Sequence, residues 1–133
     1  MRIFKILLIG LIVSCCGQES RTDRTDMLQG LVSCDKDSVC VASYYFGEER
    51  DKSVVKELLT GIEDIRISHH VQHKGMSVYY CKMGALRKIS GLDIEVGQTD
   101  EPDSVKIIKF MDWAVNSHLI ADKEKINTKS CIN

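Results

Sequence analysis

This sequence lacks the short motifs by which many enzymes are identified. It contains no GxSxG, P-loop or GxGxxG sequence, and its cysteines never occur as CxxC. These absences remove sequence support for a nucleophile-elbow hydrolase, a nucleotide-binding fold, a zinc ribbon or a thioredoxin-type redox site. Proline occurs once and aromatic residues make up 6% of the chain, without any low-complexity tract. The composition is that of a globular protein.

The chain also lacks an excess of positive charge. It has 18 Lys and Arg against 19 Asp and Glu. Removing Arg2 and Lys5 with an N-terminal leader leaves 16 basic against 19 acidic side chains, a net charge of about −3. This balance argues against nucleic acid as a partner, because binding its phosphates requires a basic face. It also argues against a polybasic lipid-binding patch.

No apolar run near the N-terminus is long enough to cross a bilayer. The basic residues Arg2 and Lys5 precede the apolar run Ile6–Val13. This run falls well short of the roughly 20 apolar residues that a transmembrane helix needs. A short basic segment followed by a short apolar run is typical of a secretory signal. The sequence therefore predicts a signal peptide over residues 1–14.

The end of this leader resembles the lipobox of bacterial lipoproteins. In Ile12-Val13-Ser14-Cys15, an aliphatic residue and two further residues precede a cysteine. The resemblance implies cleavage before Cys15 and acylation of both its sulfur and the new amino terminus, which anchors far more firmly than one acyl chain. Ordinary secretion is the alternative. Cys16 has no role in this pattern.

The rest of the chain divides into a tether and one domain. Residues 17–26, GQESRTDRTD, are polar and cannot bury a core, so they are predicted to be flexible. Residues 15–26 are then a lipidated N-terminus and tether. Residues 27–133 have the length of one domain with a single modest core.

Four cysteines fall within this domain: Cys34, Cys40, Cys81 and Cys131. An even number in an exported chain indicates disulfides, with three possible pairings. If the first helices of two hairpins lie side by side, Cys40 would pair with Cys81 and Cys34 with Cys131. The other pairings stay open. Cys34 could pair with Cys40 only outside a helix, because six residues of helix span roughly 9 Å.

Two segments have apolar side chains at clear helical spacing. In residues 51–65, Asp51 is a candidate N-cap. The apolar stripe there comprises Val54, Val55, Leu58, Leu59, Ile62 and Ile65. In residues 78–92, Gly91 suits a left-handed C-terminal cap, and Arg87 and Lys88 suit the helix dipole. Its apolar side chains are Val78, Cys81, Ala85, Leu86, Ile89 and Leu92.

Two further helices are predicted, over residues 38–49 and from Pro102 to Leu119. Their inward residues are expected to be Val39, Ala42, Tyr45 and Phe46 in the former, and Val105, Ile108, Met111, Val115 and Leu119 in the latter. Strand evidence is thin, because only Ile94 and Val96 alternate with acidic residues. The predicted fold is all-α, with four to five helices as two stacked, disulfide-linked hairpins.

Two units, residues 44–66 and residues 76–119, resemble HEAT-type helical repeats. Ala85, Leu86, Ile89 and Gly91 match the AL-x-x-I-x-G ending of the bacterial kind, and residues 47–51 resemble its inner turn. The similarity covers about 80 residues and mainly encodes two helices packing as a hairpin. Only two units fit, whereas stacked arrays usually need three or more. The resemblance implies a surface for protein binding.

The chemical candidates are the histidines of the segment HHVQH. His69 and His73 are four residues apart and could share a metal ion on a helix, with His70 beside them. A third ligand would have to come from His118 or Asp64. The glutamate of HExxH is missing, so the general base of that zinc-hydrolase motif is absent. The histidines are therefore interpreted first as incidental surface residues, and otherwise as a pH-sensitive contact patch. A metal-dependent hydrolase is the alternative function. The preferred interpretation is that no catalytic residue and no cofactor are present.

Candidate contact residues lie on the helix over 78–92. Adjacent helical positions face about 100° apart, so at most one of Tyr79 and Tyr80 can point fully inward. Lys82, Arg87 and Lys88 are expected to point outward. The predicted partner-binding candidates are Tyr79, Tyr80, Arg87 and Lys88, since aromatic and Arg side chains dominate interface hot spots.

The sequence thus predicts a noncatalytic lipoprotein of the bacterial envelope, facing the periplasm or the cell surface. If Cys15 is not lipidated, the protein is secreted. It would bind another protein, either as an inhibitor or immunity-type protein or as a scaffold. A carrier of lipids or small ligands would need an internal cavity, which no sequence pattern indicates.

Overall fold

A computed structural model describes residues 19–99, 101–129 and 131, with side chains described from residue 23 onward. The described residues form five α-helices: α1 (Glu19–Val32), α2 (Lys36–Glu48), α3 (Val55–Leu59), α4 (Val78–Ser90) and α5 (Ser104–Asn116). Two 3₁₀ turns, Lys52–Val54 and Lys123–Lys125, complete the regular structure. No β-strand occurs among these residues, where one isolated bridge joins Ile67 to Ser77. The predicted all-α fold is confirmed.

Most of the helices begin at a side chain that caps the first turn. Asp35 accepts a hydrogen bond from the Ser38 amide at the start of α2, as Ser77 does from Tyr80 in α4. The Asp103 carboxylate accepts from two amides of α5. Such caps satisfy donors that a helix leaves unpaired. At the other end of α4, Gly91 has φ 74° and provides the predicted left-handed cap.

The core forms where α2 packs against α4. These helices make the most extensive contact in the fold, and α1 lies against α2 on its other side. Cys40 and Cys81 are joined by a disulfide across the contact, with their Cα atoms 5.2 Å apart. The largest side chains in this fully buried core are Tyr79, Phe46 and Phe110. The first helices of the two predicted units therefore lie side by side.

A second disulfide joins the two ends of the domain. Cys34, just after α1, is bonded to Cys131, with the Cα atoms 5.6 Å apart. The tail is also held by backbone hydrogen bonds from Gly61 to Asn127 (2.8 Å) and from Glu63 to Thr128 (2.9 Å). Both predicted pairings are confirmed. By the chain-entropy model, closing loops of these lengths contributes about 4–5 kcal/mol each.

The helix predicted over residues 51–65 is shorter than expected. Asp51 caps a 3₁₀ turn, and the following α3 ends at Leu59 because Thr60 is extended and Gly61 takes a φ of 63°. Ile62 is still buried in the turn, whereas Ile65 is 60% exposed. The prediction for Ile65 is therefore wrong.

Lys82 of α4 was expected to point outward, but it is 4% exposed and stabilises the end of α3. The Lys82 ammonium donates to the carbonyl oxygens of Thr60 and Glu57. Those are the groups that a helix C-terminus leaves unpaired. Burial lowers the pKa of Lys82 to about 8. The early stop of α3 thus depends on a contact between distant parts of the chain.

The predicted inward face of the last long helix is only partly right: Met111 is buried, and Val115 and Leu119 are partly buried, but Val105 and Ile108 are not. Val105 is 62% exposed and Ile108 is 47% exposed. The buried face of α5 consists of Ile107, Phe110, Met111 and Ala114. Both sets of residues recur every three or four positions, so spacing alone could not choose between them.

The predicted tether is also partly wrong. Residues 19–26 are the first turns of α1, and the Arg24 guanidinium reaches the carboxylate of Asp51 (3.0 Å) and the hydroxyl of Ser53 (2.9 Å). Farther along α1, Leu31 is buried in the core. Residues 1–18 lie outside the described residues, and with them the predicted signal peptide, Cys15 and Cys16.

α2 and α4 approach each other closely at Gly47. A Cβ atom at this position would lie 3.0 Å from the Ala85 Cα atom and 3.3 Å from its Cβ atom, so a side chain would force the helices apart. Gly84, on the same helix as Ala85, is the opposite case. A Cβ atom there would meet nothing within 4 Å.

We predict that Gly47→Ala lowers the free energy of unfolding by about 1–3 kcal/mol, the usual cost of overpacking a core. The matched variant Gly84→Ala should be more stable than the parent by about 0.5–1 kcal/mol, because alanine favours a helix and open space is available. Urea unfolding of the oxidised protein measures both. Equal stability of Gly47→Ala and the parent would show that the two helices separate readily.

Candidate binding cleft between α2 and α4

A cleft of about 510 Å³ lies where α2, α4 and two connecting segments meet. Helix α2 contributes Cys40, Tyr44 and Gly47 to it, and the segment before α4 contributes Gln72, His73 and Met76. The contribution of α4 is Tyr80, Cys81, Met83, Gly84, Ala85, Arg87 and Lys88, and Ile94 and Val96 close the far side. This volume is within the range of small-ligand and peptide-side-chain sites.

The helical repeat of α4 explains why the cleft exists. Gly84 follows Tyr80 by four positions, and Arg87 and Lys88 follow Gly84 by three and four, so these residues lie on one side of the helix. Gly84 has no side chain at the middle of this face, which leaves space between larger neighbours. The Cys40–Cys81 disulfide lies among the lining residues and fixes the two helices on either side.

The rim of the cleft is aromatic and cationic. The Lys88 ammonium lies 4.7 Å from the centre of the exposed Tyr44 ring and forms an ion pair with Glu48. The Arg87 guanidinium lies 3.8 Å from the carboxylate of Asp93, and both groups are largely exposed. Exposed ion pairs of this kind are weak. Both cations are therefore available for a stronger carboxylate partner.

The histidine segment forms a turn that is fixed to α2 by Asp37. Its carboxylate accepts hydrogen bonds from the Ser68 hydroxyl and from the His69 amide, both at 2.8 Å. The hydrogen bond from the His69 backbone amide, and then that from the Ser68 hydroxyl, lower the pKa of the Asp37 carboxylate to about 2. Within the turn, Gly75 adopts a φ of 84° and its amide donates to the Ser68 carbonyl.

His73 is placed by this turn against the wall of the cleft. Only 6% of the residue is exposed, and its ring lies 5.5 Å from that of Tyr44 and 5.6 Å from that of His70. Burial, and then the neighbouring His70, lower the pKa of His73. Its Nε2 atom is buried and has no hydrogen-bond partner among the described residues. Such an atom costs free energy until something pairs with it.

The histidines do not form the metal site that was considered. The side chain of His69 is exposed, and His118 follows the end of α5 with a φ of 58°. Among the described residues, no three His, Cys, Asp or Glu side chains are placed to hold a metal ion. The proximity of His70 and His73 is a stacked ring contact.

Three of the four predicted contact residues line the cleft: Tyr80, Arg87 and Lys88. Tyr79 does not. It is fully buried, and its hydroxyl accepts a hydrogen bond from the Asp103 amide at 3.1 Å. Tyr79 therefore belongs to the core and connects α4 to the start of α5, which corrects its prediction as a contact residue.

Tyr44 lines the cleft but was not predicted as a contact residue. It follows Cys40 by four positions, and Gly47 follows it by three, so the three share a face of α2. This spacing could have been recognised. His73, Met76, Ile94 and Val96 reach the cleft through the tertiary fold, and their local sequence carries no comparable signal.

Comparisons of this chain with models of known protein families, with curated proteins and with solved structures find no match. None of the helices in the described part of the chain combines the length and the apolar character that a membrane span requires. The function is therefore inferred from the residues of the chain itself, above all those that line the cleft.

We predict that Asp37→Asn destabilises the protein near neutral pH by weakening the hold of α2 on the histidine turn. The folded pKa of Asp37 lies below its usual value of 3.8. Its contribution is therefore fully present above that value and is lost as the pH falls towards about 2. Urea midpoints of parent and variant should differ at pH 6 and converge at pH 2. The control Asp23→Asn, an exposed position on α1, should show no such convergence.

Proposed function

We propose that this chain is a noncatalytic, lipid-anchored protein of the bacterial envelope that binds another protein. It would act there as an inhibitor or immunity-type protein, or as a scaffold. The cleft between α2 and α4 is the surface that would make the contact. The single observation that carries this proposal is that aromatic, thioether and cationic side chains converge on one concave site.

The composition of the cleft suits a protein partner. Tyr44 and Tyr80 offer large, rigid contact surfaces, and Arg87 offers a planar charged group. Tyr, Trp and Arg are the residues that most often dominate binding energy at protein interfaces. Met76 and Met83 add flexible apolar surface that can adapt to a partner's side chain.

The same residues support binding without catalysis. The cysteines of the lining, Cys40 and Cys81, are joined to each other, so neither is a free thiol. No carboxylate lies beside His73 among the lining residues to form an acid–base pair with it. General acid–base chemistry requires such groups within hydrogen-bond reach of a reacting atom.

The two disulfides support a location outside the cytoplasm. Both form in a domain of modest size, and structural disulfides persist mainly in oxidising compartments. The lipobox-like sequence ending at Cys15 adds the proposed anchor. Helix α1 begins at Glu19, so the domain would start only a few residues from the membrane surface.

A relation to HEAT-type repeats remains part of this proposal. In it, α2 with α3 and α4 with α5 are two short repeat units, and the contact of α2 with α4 is the interface between them. The residues of the AL-x-x-I-x-G sequence are Ala85, Leu86 and Ile89, all buried, and Gly91 at the end of α4. Helical repeats of this kind bind partners through such stacked faces.

We predict that Cys15→Ser moves the protein from the detergent phase to the aqueous phase in Triton X-114 partitioning, because the lipid anchor is lost. The adjacent variant Cys16→Ser should remain in the detergent phase. Mass spectrometry of the mature N-terminus should show an acylated Cys15 in the parent. An unmodified mature terminus, or equal partitioning of both variants with the parent, would contradict the lipoprotein assignment.

We predict that a benzophenone amino acid at Tyr80, in the full protein in its native host, cross-links to a partner protein. The same group at Lys109, which is exposed on α5, should not. Gly84→Phe fills the open middle of the cleft and should abolish the cross-link from position 80. Cross-linking that survives Gly84→Phe, or that is equal from position 109, would place the contact elsewhere.

A further inference from the structure

We propose that the cleft accepts an acidic, aliphatic peptide segment of the partner. A carboxylate of that segment would bind Arg87 and Lys88 at the rim, and an aliphatic side chain would lie against Met76 and Met83. A backbone carbonyl of the segment would accept a hydrogen bond from His73 Nε2. This inference deepens the proposed function and rests on it. It assigns a ligand chemistry to each part of the site.

The apolar part of the cleft is the reason for proposing an aliphatic side chain in the bound segment. Met83 is almost fully buried, and Met76, Ile94 and Val96 are partly buried around it. Thioether and branched aliphatic side chains fill gaps between apolar groups without needing a polar partner. An inserted Leu or Ile side chain would cover the surface that these residues leave exposed to the cleft.

The two positive charges at the rim are the reason for proposing a carboxylate in the bound segment. Arg87 and Lys88 are the lining residues that carry a full charge, and both are positive. Their present partners, Asp93 and Glu48, do not line the cleft. A carboxylate entering at the rim would gain charge-assisted hydrogen bonds, the guanidinium contact having bidentate geometry.

The buried imidazole explains why the occupant is a peptide. His73 is more than nine-tenths buried, lines the cleft, and has an Nε2 atom without a hydrogen-bond partner among the described residues. A fatty acid has one polar group, which the rim cations would hold, and it offers nothing polar farther inside. A peptide supplies a backbone carbonyl every 3.3–3.6 Å or so along an extended chain. Because Nε2 is enclosed in the free protein, the His73 ring would turn toward the cleft and donate its Nε2–H to one of these carbonyls.

The test uses the mature, oxidised protein with ¹³C-labelled methionine methyl groups, observed by NMR. The probe is an acetylated and amidated peptide of alternating Leu and Glu, and the matched probe replaces each Glu by Gln. We expect the methyl signals of Met76 and Met83 to shift, while those of Met27 and Met111, which do not line the cleft, stay unchanged. The Glu peptide should bind roughly tenfold or more tightly than the Gln peptide, the usual gain from a charged hydrogen bond.

Two sets of variants examine the assigned roles. His73→Phe preserves an aromatic ring but removes Nε2, and it should weaken both peptides several-fold, as expected for one lost hydrogen bond. The matched control His69→Phe should leave both affinities unchanged. Arg87→Gln with Lys88→Gln should remove the preference for Glu over Gln. Unfolding midpoints show whether each variant is folded, and Gly84→Leu provides a second means of blocking the site.

Several results would overturn this inference. They are equal affinity for the Glu and Gln peptides, shifts of Met111 without shifts of Met76 and Met83, and tighter binding of decanoate than of the Glu peptide at the same methyl groups. Self-association of the protein through the labelled site would overturn it too. If position 80 still cross-links to a partner in those cases, the protein-binding proposal stands and only the ligand chemistry fails.

Discussion

The contact between α2 and α4 is the constraint on which the rest of the fold depends. Gly47 allows the two helices to approach until Ala85 is in direct contact, and the Cys40–Cys81 disulfide fixes that approach covalently. Helix α1 packs on one side of the pair, and α3 and α5 pack along α4. The cleft is a consequence of the same geometry, since its two longest walls are these helices. A change in their spacing would alter the core and the candidate site together.

The ends of a helix could be predicted from the sequence where capping residues mark them. For α4, Ser77 and Gly91 specify the start and the end, so its limits could be predicted. Its buried surface also includes Tyr79, Lys82 and Met83, which lie outside the predicted apolar stripe. The failure at α5 has a physical cause. Two stripes of apolar residues satisfy the helical repeat, and the choice of the stripe containing Phe110 was made by packing against distant residues. α3 similarly ends where Lys82, from another helix, satisfies its carbonyl groups.

Only those residues of the candidate site that lie on a regular helix could be predicted from the sequence. Arg87 and Lys88 could be placed on an exposed face of α4 by helical spacing alone. For Tyr79 and Tyr80, the spacing predicted that at most one points inward but could not say which. His73 could not be placed. Its segment has no periodicity, and its position against Tyr44 results from the hydrogen bonds of Asp37 to a turn more than thirty residues away. Residues brought together by tertiary contacts leave no local pattern to read.

The Cys34–Cys131 disulfide has a mechanical consequence when the chain is pulled from its ends. It connects positions 97 residues apart, close to the beginning and the end of the domain. Tension applied between the two chain termini would pass through this covalent link and would load α1 and the last residues, but not α2 to α5. A stretched molecule could therefore lose its first helix while the cleft kept its shape. Reduction of that one link would expose the remaining helices to the pulling force.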